Sequence, residues 1–328
     1  MNQHRPRRPF PATAFLAVLA LSLLTAACGS LSGDLGPVAT PPLAEPSPEG
    51  STSVPTLAPS QDPTTGPTTP GTSPQPTATP EPAGTTTVRV YYFLGSFVDN
   101  DGLVPVLREI PKTQAVGAAA MQALLEGPND NELGARPAMY SVIPDGTRYL
   151  GLRIDAGVAT VNLSREFASG GGATSVLGRL AQVVYTLTQF PTVSSVRFEL
   201  DGEPVTVFSG EGVVLDTPVD RADYEYLLPA IFVDRPAWGG VLANPARLVG
   251  VANAFEATFH VRILDGEGRS LADGPVMATC GTGCYGTFDV TIPYTVSSPR
   301  WGTLQVYELS AKDGSIVNMT EYPVWLTP

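Results

Sequence analysis

The sequence predicts an α+β domain followed by an all-β sandwich, both carried behind an export signal and a long unstructured spacer. Three observations lead there. Residues 1–28 hold a basic start, a short apolar run and a cysteine. Large apolar side chains almost vanish between 29 and 86. After 87, strand alternation mixed with helical spacing runs to about 210, and strand alternation alone fills 228–328.

Arg5, Arg7 and Arg8 precede an apolar run from Phe15 to Leu24, and small residues lead to Cys28. This is the pattern of an export signal. The run is too short for a spanning helix, which needs about 20 apolar residues. Leu24-Thr25-Ala26-Ala27-Cys28 reads as a lipobox with Thr25 in place of the commoner Leu or Val, so Cys28 is the expected lipidation site and membrane anchor. The competing reading is an ordinary secretory signal that leaves Cys28 a free thiol, a liability in an exported protein. Two acyl chains hold a protein firmly where one holds it marginally.

Removing residues 1–27 takes away three Arg and no acid, leaving 16 basic against 31 acidic residues, a balance of −15. That charge repels phosphate backbones, so nucleic acid is excluded as a partner. Cys280 and Cys284 close a Gly-rich loop, Cys280-Gly281-Thr282-Gly283-Cys284. A disulfide is expected outside the cytosol. The neighbourhood offers too few ligands for a metal, and a redox pair usually has two intervening residues.

The tether, 28–86, is Pro, Thr, Ser, Ala and Gly, which cannot offset ordering entropy and is expected to be disordered or polyproline-like. It would span roughly 45 Å as a coil and up to about 180 Å fully extended. Its Thr and Ser residues would allow glycosylation, although a bare spacer is the simpler reading.

In the first domain, Val88, Val90 and Tyr92 alternate with Arg89 and Tyr91 as a strand, and Val104–Ile110 reads as a second. Between them, Asp99-Asn100-Asp101-Gly102 hints at calcium, but Leu103 stands where the next oxygen ligand belongs, so a turn is expected. Thr113 is placed to cap a helix over 114–126 with Val116, Ala119, Ala120, Ala123 and Leu124 on one face, stopped by Gly127-Pro128. Leu150, Leu152 and Ile154, then Ala159, Val161 and Leu163, flank Asp155-Ala156-Gly157 as a hairpin. Thr174 is placed to cap a second helix carrying Val176, Leu180, Val183, Val184 and Leu187. Val196, Phe198 and Leu200 form a strand that turns at Asp201-Gly202 toward Val205–Val207. The order is a β-α-β-β-α-β sandwich with both helices on one sheet face.

Three motifs occur in order: Pro144-Asp145-Gly146-Thr147, the strand through Val161, Leu163, Ser164 and Phe167, and Val196-Arg197-Phe198-Glu199-Leu200-Asp201-Gly202. With them, residues 87–210 resemble the GerMN domain of sporulation and germination lipoproteins. The resemblance implies a fold similar to ring-building motifs of cell-envelope complexes, and hence self-association through this domain.

An acidic connector, 211–227, leads to the second domain. There Leu248–Ala252, the alternating run Phe255, Ala257, Phe259, Val261 and Ile263, and later runs at 276–280, 287–292, 304–309 and 317–326 give about seven short strands without helical spacing, a β-sandwich. Asn244-Pro245, Gly250, Ala252, Phe255-Glu256-Ala257, Trp301-Gly302 and Tyr307-Glu308 make 228–328 resemble the Gmad2 immunoglobulin-like domain, which sits in germination-associated lipoproteins. The two resemblances support each other.

No catalytic constellation is visible and no cofactor is expected. His260 is the single histidine after residue 27, on the polar side of a strand. Gly170-Gly171-Gly172 precedes a helix but lacks a phosphate-binding lysine and reads as a flexible turn. No spacing selects a carboxylate pair for glycan hydrolysis. Trp238, Trp301 and Trp325 suit sugar stacking or, more simply, core packing. The expected function is non-catalytic binding or scaffolding on the outer face of the cell membrane, with an envelope protein or peptidoglycan as partner. An accessory lipoprotein of a membrane sensor kinase and a carboxylate-based wall-glycan hydrolase are the alternatives.

Overall fold

The computed structural model describes residues 84–95 and 100–328. Cys28, the signal segment and all but the last residues of the tether lie outside them.

In the first domain, β1 (Thr85–Gly95) and β2 (Asn100–Pro111) form a long antiparallel pair from Thr85↔Pro111 to Leu94↔Gly102. After α1 (Val116–Leu125) and the short α2 (Asp130–Leu133), β3 (Met139–Tyr140) pairs with the far end of β1. Then β4 (Tyr149–Asp155) and β5 (Val158–Leu163) make the expected hairpin, and α3 (Ala173–Leu187) crosses over to β6 (Ser195–Leu200), which runs parallel to β5. β7 (Glu203–Pro204) closes this sheet, in the order β4-β5-β6-β7.

The α+β character and element order follow the sequence, but the strands divide between two sheets. β1 bonds only to β2 and β3 within its sheet. α3 touches both β1 and β6 and is buried nearly all round. β1 is consequently buried on both faces, with Tyr91 as inaccessible as Val90 and Tyr92. Alternation alone misassigned Tyr91 to an outer face because its hydroxyl end finds partners in the interior.

The middle of β1's free edge is satisfied by side chains of α3 and the residues after it. Gln189 accepts from Arg89 N at 2.8 Å and donates to Arg89 O at 2.6 Å, and Gln182 donates to Tyr91 O at 2.9 Å. Two amides thus stand in for a neighbouring strand and block further pairing.

The helix caps differ from those expected. α1 begins after its N-cap Ala115, and Thr113, two residues earlier, accepts from Ala115 N at 3.1 Å without capping the helix. α3 begins after Gly172, so Thr174 lies inside its first turn.

A small hairpin, β8 (Val207–Phe208) with β9 (Val213–Val214), and a 3-10 turn, Ala222–Leu227, follow. Tyr224 and Leu227 of the turn are buried.

The second domain is two facing sheets. β10 (Ile231–Arg235), β12 (Ala246–Ala252) and β15 (Gly286–Ile292) form one, in the order β10-β12-β15. β11 (Val241–Leu242), β17 (Ile316–Leu326), β16 (Arg300–Leu309), β13 (Thr258–Asp265) and β14 (Ser270–Met277) form the other in that order. Phe259 meets Phe288 across the core at 4.9 Å between ring centroids. Phe255 was expected on β13, but it sits in a 3-10 turn and is 54% exposed. Glu256 and Ala257 carry positive φ, which delays the strand to Thr258.

Candidate functional site

The densest polar cluster lies where the two domains meet. Tyr91 comes from β1, Arg221 from just before the 3-10 turn and Asp234 from β10. The Tyr91 hydroxyl donates to Asp234 Oδ1 at 2.6 Å and accepts from Arg221 Nη2 at 3.1 Å and Arg89 Nε at 3.3 Å. Arg221 Nη1 and Arg89 Nη2 approach the Asp234 carboxylate at 3.5 and 3.7 Å. The Arg221 guanidinium also lies over the Tyr185 ring at 4.7 Å and donates to Thr188 Oγ1 at 2.8 Å.

Burial, helped by the Asp234 charge, pushes the Tyr91 hydroxyl up to about 12. Burial works against the charge on Arg221, yet Tyr91 and Asp234 outweigh it and its pKa is raised. Two guanidiniums share one carboxylate and a phenol held neutral. Each member is committed to its neighbours, so the cluster locks the domains together and leaves no free nucleophile or base.

A second network covers the outer face of the five-stranded sheet. Arg262 donates to Asp273 at 2.7 Å and to the Tyr307 hydroxyl at 2.8 Å, and that hydroxyl donates to the other Asp273 oxygen at 3.0 Å. Burial opposes the Asp273 charge, but the Arg262 and Tyr307 hydrogen bonds bring its pKa below the usual carboxylate range. His260 stacks on the Tyr307 ring at 5.4 Å on this outer face, the polar side that alternation assigns it.

The glycine run at 170–172 is not loose. Arg179, 1% exposed, reaches back from α3 and donates to Phe167 O, Ser169 O and Gly170 O at 2.8, 2.8 and 2.9 Å, and to Ser175 Oγ at 3.0 Å. Burial lowers its pKa. Its partners are carbonyls and a hydroxyl rather than a carboxylate, so the loop wraps a cation the fold itself supplies. Arg179 sits on the apolar helix pattern and gave no sequence signal for this role.

Cys280 and Cys284 stand with Cα atoms 6.1 Å and sulfurs 2.20 Å apart. The Asp99–Asp101 loop is only partly within the described residues. Among the described residues, no group of three His, Cys, Asp or Glu side chains is placed to hold a metal. The tryptophans split. Trp238 packs on Tyr322 at 6.3 Å as core packing predicts, but Trp301 is 55% exposed and meets Trp325 edge-on at 5.3 Å. The core expectation fails for Trp301 because its strand position faces away from the opposing sheet.

Fold and site define a class: an α+β domain docked on an immunoglobulin-like sandwich, with its strongest charged clusters spent on structure. The comparisons place both halves. Residues 89–206 match the family described as "Germane: Sporulation and spore germination", and residues 230–315 match "Gmad2: Immunoglobulin-like domain of bacterial spore germination". The chain therefore contains a GerMN-like domain and an immunoglobulin-like Gmad2 domain.

Over 171 residues it is 30% identical to lipoprotein LpqB of Thermobifida fusca (strain YX). That match covers 51% of this chain and 24% of the relative, so the chain spans about a quarter of the length of the curated relative it matches. Among solved structures, the first GerMN domain of the sporulation protein GerM from Bacillus subtilis is 20% identical with a TM-score of 0.35, over 42% of this chain and 99% of that one. A putative lipoprotein from Clostridium perfringens is 22% identical with a TM-score of 0.31, over 46% and 98%.

Proposed function

We propose that this chain is a non-catalytic binding or scaffolding protein, held by lipid on Cys28 at the outer face of the cell membrane. The observation that carries the proposal is the pairing of a GerMN-like with a Gmad2 domain, both described for spore germination, in one chain that opens with an export-signal pattern. The printed name of the Thermobifida relative, a lipoprotein, agrees with anchoring at Cys28. The commitment of the buried charges to the fold favours binding over turnover. Its partner is an envelope protein, the wall, or a second copy of the chain through the GerMN-like domain.

Crosslinking of the full chain in intact cells, followed by identification of what is captured, tests this. Recurrent capture of one envelope component, or of a second copy, supports the proposal. Capture dominated by one sensor kinase would move the reading to an accessory subunit. Release of soluble wall fragments by the purified chain, abolished by changing one carboxylate, would overturn it in favour of a hydrolase.

A further inference from the structure

The exposure of Trp301 points to a binding site. A groove of about 450 Å³ opens at the junction of the two domains and shares no residue with the tyrosine–arginine cluster. Its size falls within the roughly 300–1,000 Å³ of small-molecule sites. Val106 and Leu107 of β2, Asn129 and Asn131 beside them, and Trp238 and Trp301 of the sandwich line it. Glu132, also lining it, is buried and ion-paired with Arg108 at 2.6 Å.

We infer that this groove binds an uncharged pyranoside chain. Five features favour that ligand. Two indoles line the groove, one of them 55% exposed, and indole rings pack well on the C–H faces of sugar rings. Among the described residues neither indole N–H donates to the protein, so both are free for hydroxyls. The Asn131 amide, exposed and likewise unbonded at its side chain, offers a donor and an acceptor together, as a hydroxyl-rich ligand requires.

Charge and backbone supply the other two features. The carboxylate in the groove is neutralised by Arg108, so nothing there attracts an ion, and the acidic surface as a whole disfavours anionic ligands. A peptide adding to a sheet is also disfavoured, because the β2 edge is already taken. Trp238 N donates to Pro105 O at 2.9 Å, and Val106 bridges Trp238 in parallel.

The inference rests on the binding reading above and gives it a ligand class. The site needs both domains, since β2 and α2 contribute one side and the sandwich the other. Neither family match alone would reveal it.

The test is titration of the full chain in detergent with a β-1,4-linked N-acetylglucosamine tetramer and, separately, with cellotetraose, read by indole fluorescence and by calorimetry. Saturable binding that Trp301→Ala weakens at least tenfold and Asn131→Ala severalfold supports the site, provided both variants melt as the parent does. Leu107→Trp, which fills the groove without removing any ligand group, should abolish binding. Met277→Ala, an exposed substitution elsewhere on the sandwich, should leave it intact. Preference for the acetamido tetramer would assign the source to wall glycan, and equal binding to a neutral polysaccharide; both keep the saccharide site. Absence of saturable binding to either tetramer, or binding unchanged in Trp301→Ala, overturns it. Failure here would leave the crosslinking result, and with it the broader binding function, standing on its own.

Discussion

The hydroxyl of Tyr91 and the carboxylate of Asp234, 143 residues apart in the chain, meet at 2.6 Å and tie the GerMN-like domain to the sandwich. The contact belongs to a set, because Arg221 and Arg89 address both partners. Tyr91→Phe should therefore cost about 1.5–3 kcal/mol, the range for a hydrogen bond to a charged group. Combined with Asp234→Asn in a urea-unfolding cycle, it should show a coupling of at least about 0.5 kcal/mol. Strict additivity of the two changes would remove the junction from the list of stabilising features.

Alkali should loosen the same place. The folded Tyr91 holds its proton to about pH 12, while in the unfolded chain it ionises near the ordinary tyrosine value of 10.0. The folded state thus binds more protons between these values, and stability must fall as pH rises through that window. Tyr185, Tyr92 and Tyr322 are shifted in the same direction by burial. Their contributions are complete below the unfolded value and are lost above it. Phenolate absorbance should appear together with loss of far-ultraviolet signal, and a buried-tyrosine fraction that ionises smoothly in the folded state would contradict this.

We expect Cys280 and Cys284 to be bridged in exported protein. Intact mass under non-reducing conditions should lack two hydrogens relative to the reduced form. Closing so short a loop contributes about 2 kcal/mol in the chain-entropy model, which Cys284→Ser should remove. Free-thiol labelling of both residues in fresh protein would refute the bridge.

Glycines should separate sharply by position. A Cβ on Gly250 would fall 2.0 Å from Phe232 O and 2.6 Å from Phe288 Cζ, so Gly250→Ala should cost at least about 3 kcal/mol. A Cβ on Gly151 meets nothing within 4 Å, and Gly151→Ala should be neutral or stabilise by up to about 1 kcal/mol. Thermal melts of the two variants test the contrast, and equal melting points would contradict it.

Arg179→Lys should destabilise by about 2 kcal/mol despite keeping the charge, because an ammonium cannot reach three carbonyls and a hydroxyl in one plane. Faster hydrogen exchange at residues 167–172 would accompany it. Unchanged exchange there would mean that the glycine loop holds itself.

Most strands and both long helices were legible because apolar residues recur at steps of two or of three and four, and turns carry Asp-Gly pairs. The joining of those elements was not legible. The two-sheet arrangement depends on α3 being covered nearly all round, and Gln182 on it and Gln189 just after it look like ordinary solvent-facing residues until β1 is placed beside them. Arg221 falls inside what reads as an acidic connector and Asp234 carries no sequence signal of its own, since their meaning arises only where two domains touch. Trp301 was misjudged for a related reason. Alternation gives a residue's side of the strand, and only the packed sandwich shows which side is left open.

The β1–β2 ladder has a mechanical consequence. Tension applied to the chain ahead of Thr85 enters the ladder at the Thr85↔Pro111 end. The sandwich grips β2 toward the other end, at Gly102, where an added Cβ would fall 2.3 Å from Pro229 N, and at Val106, bridged to Trp238. A pull resisted by the sandwich therefore runs lengthwise through the paired strands. The hydrogen bonds of the ladder carry it together in shear, as a lap joint does, instead of peeling open one rung at a time.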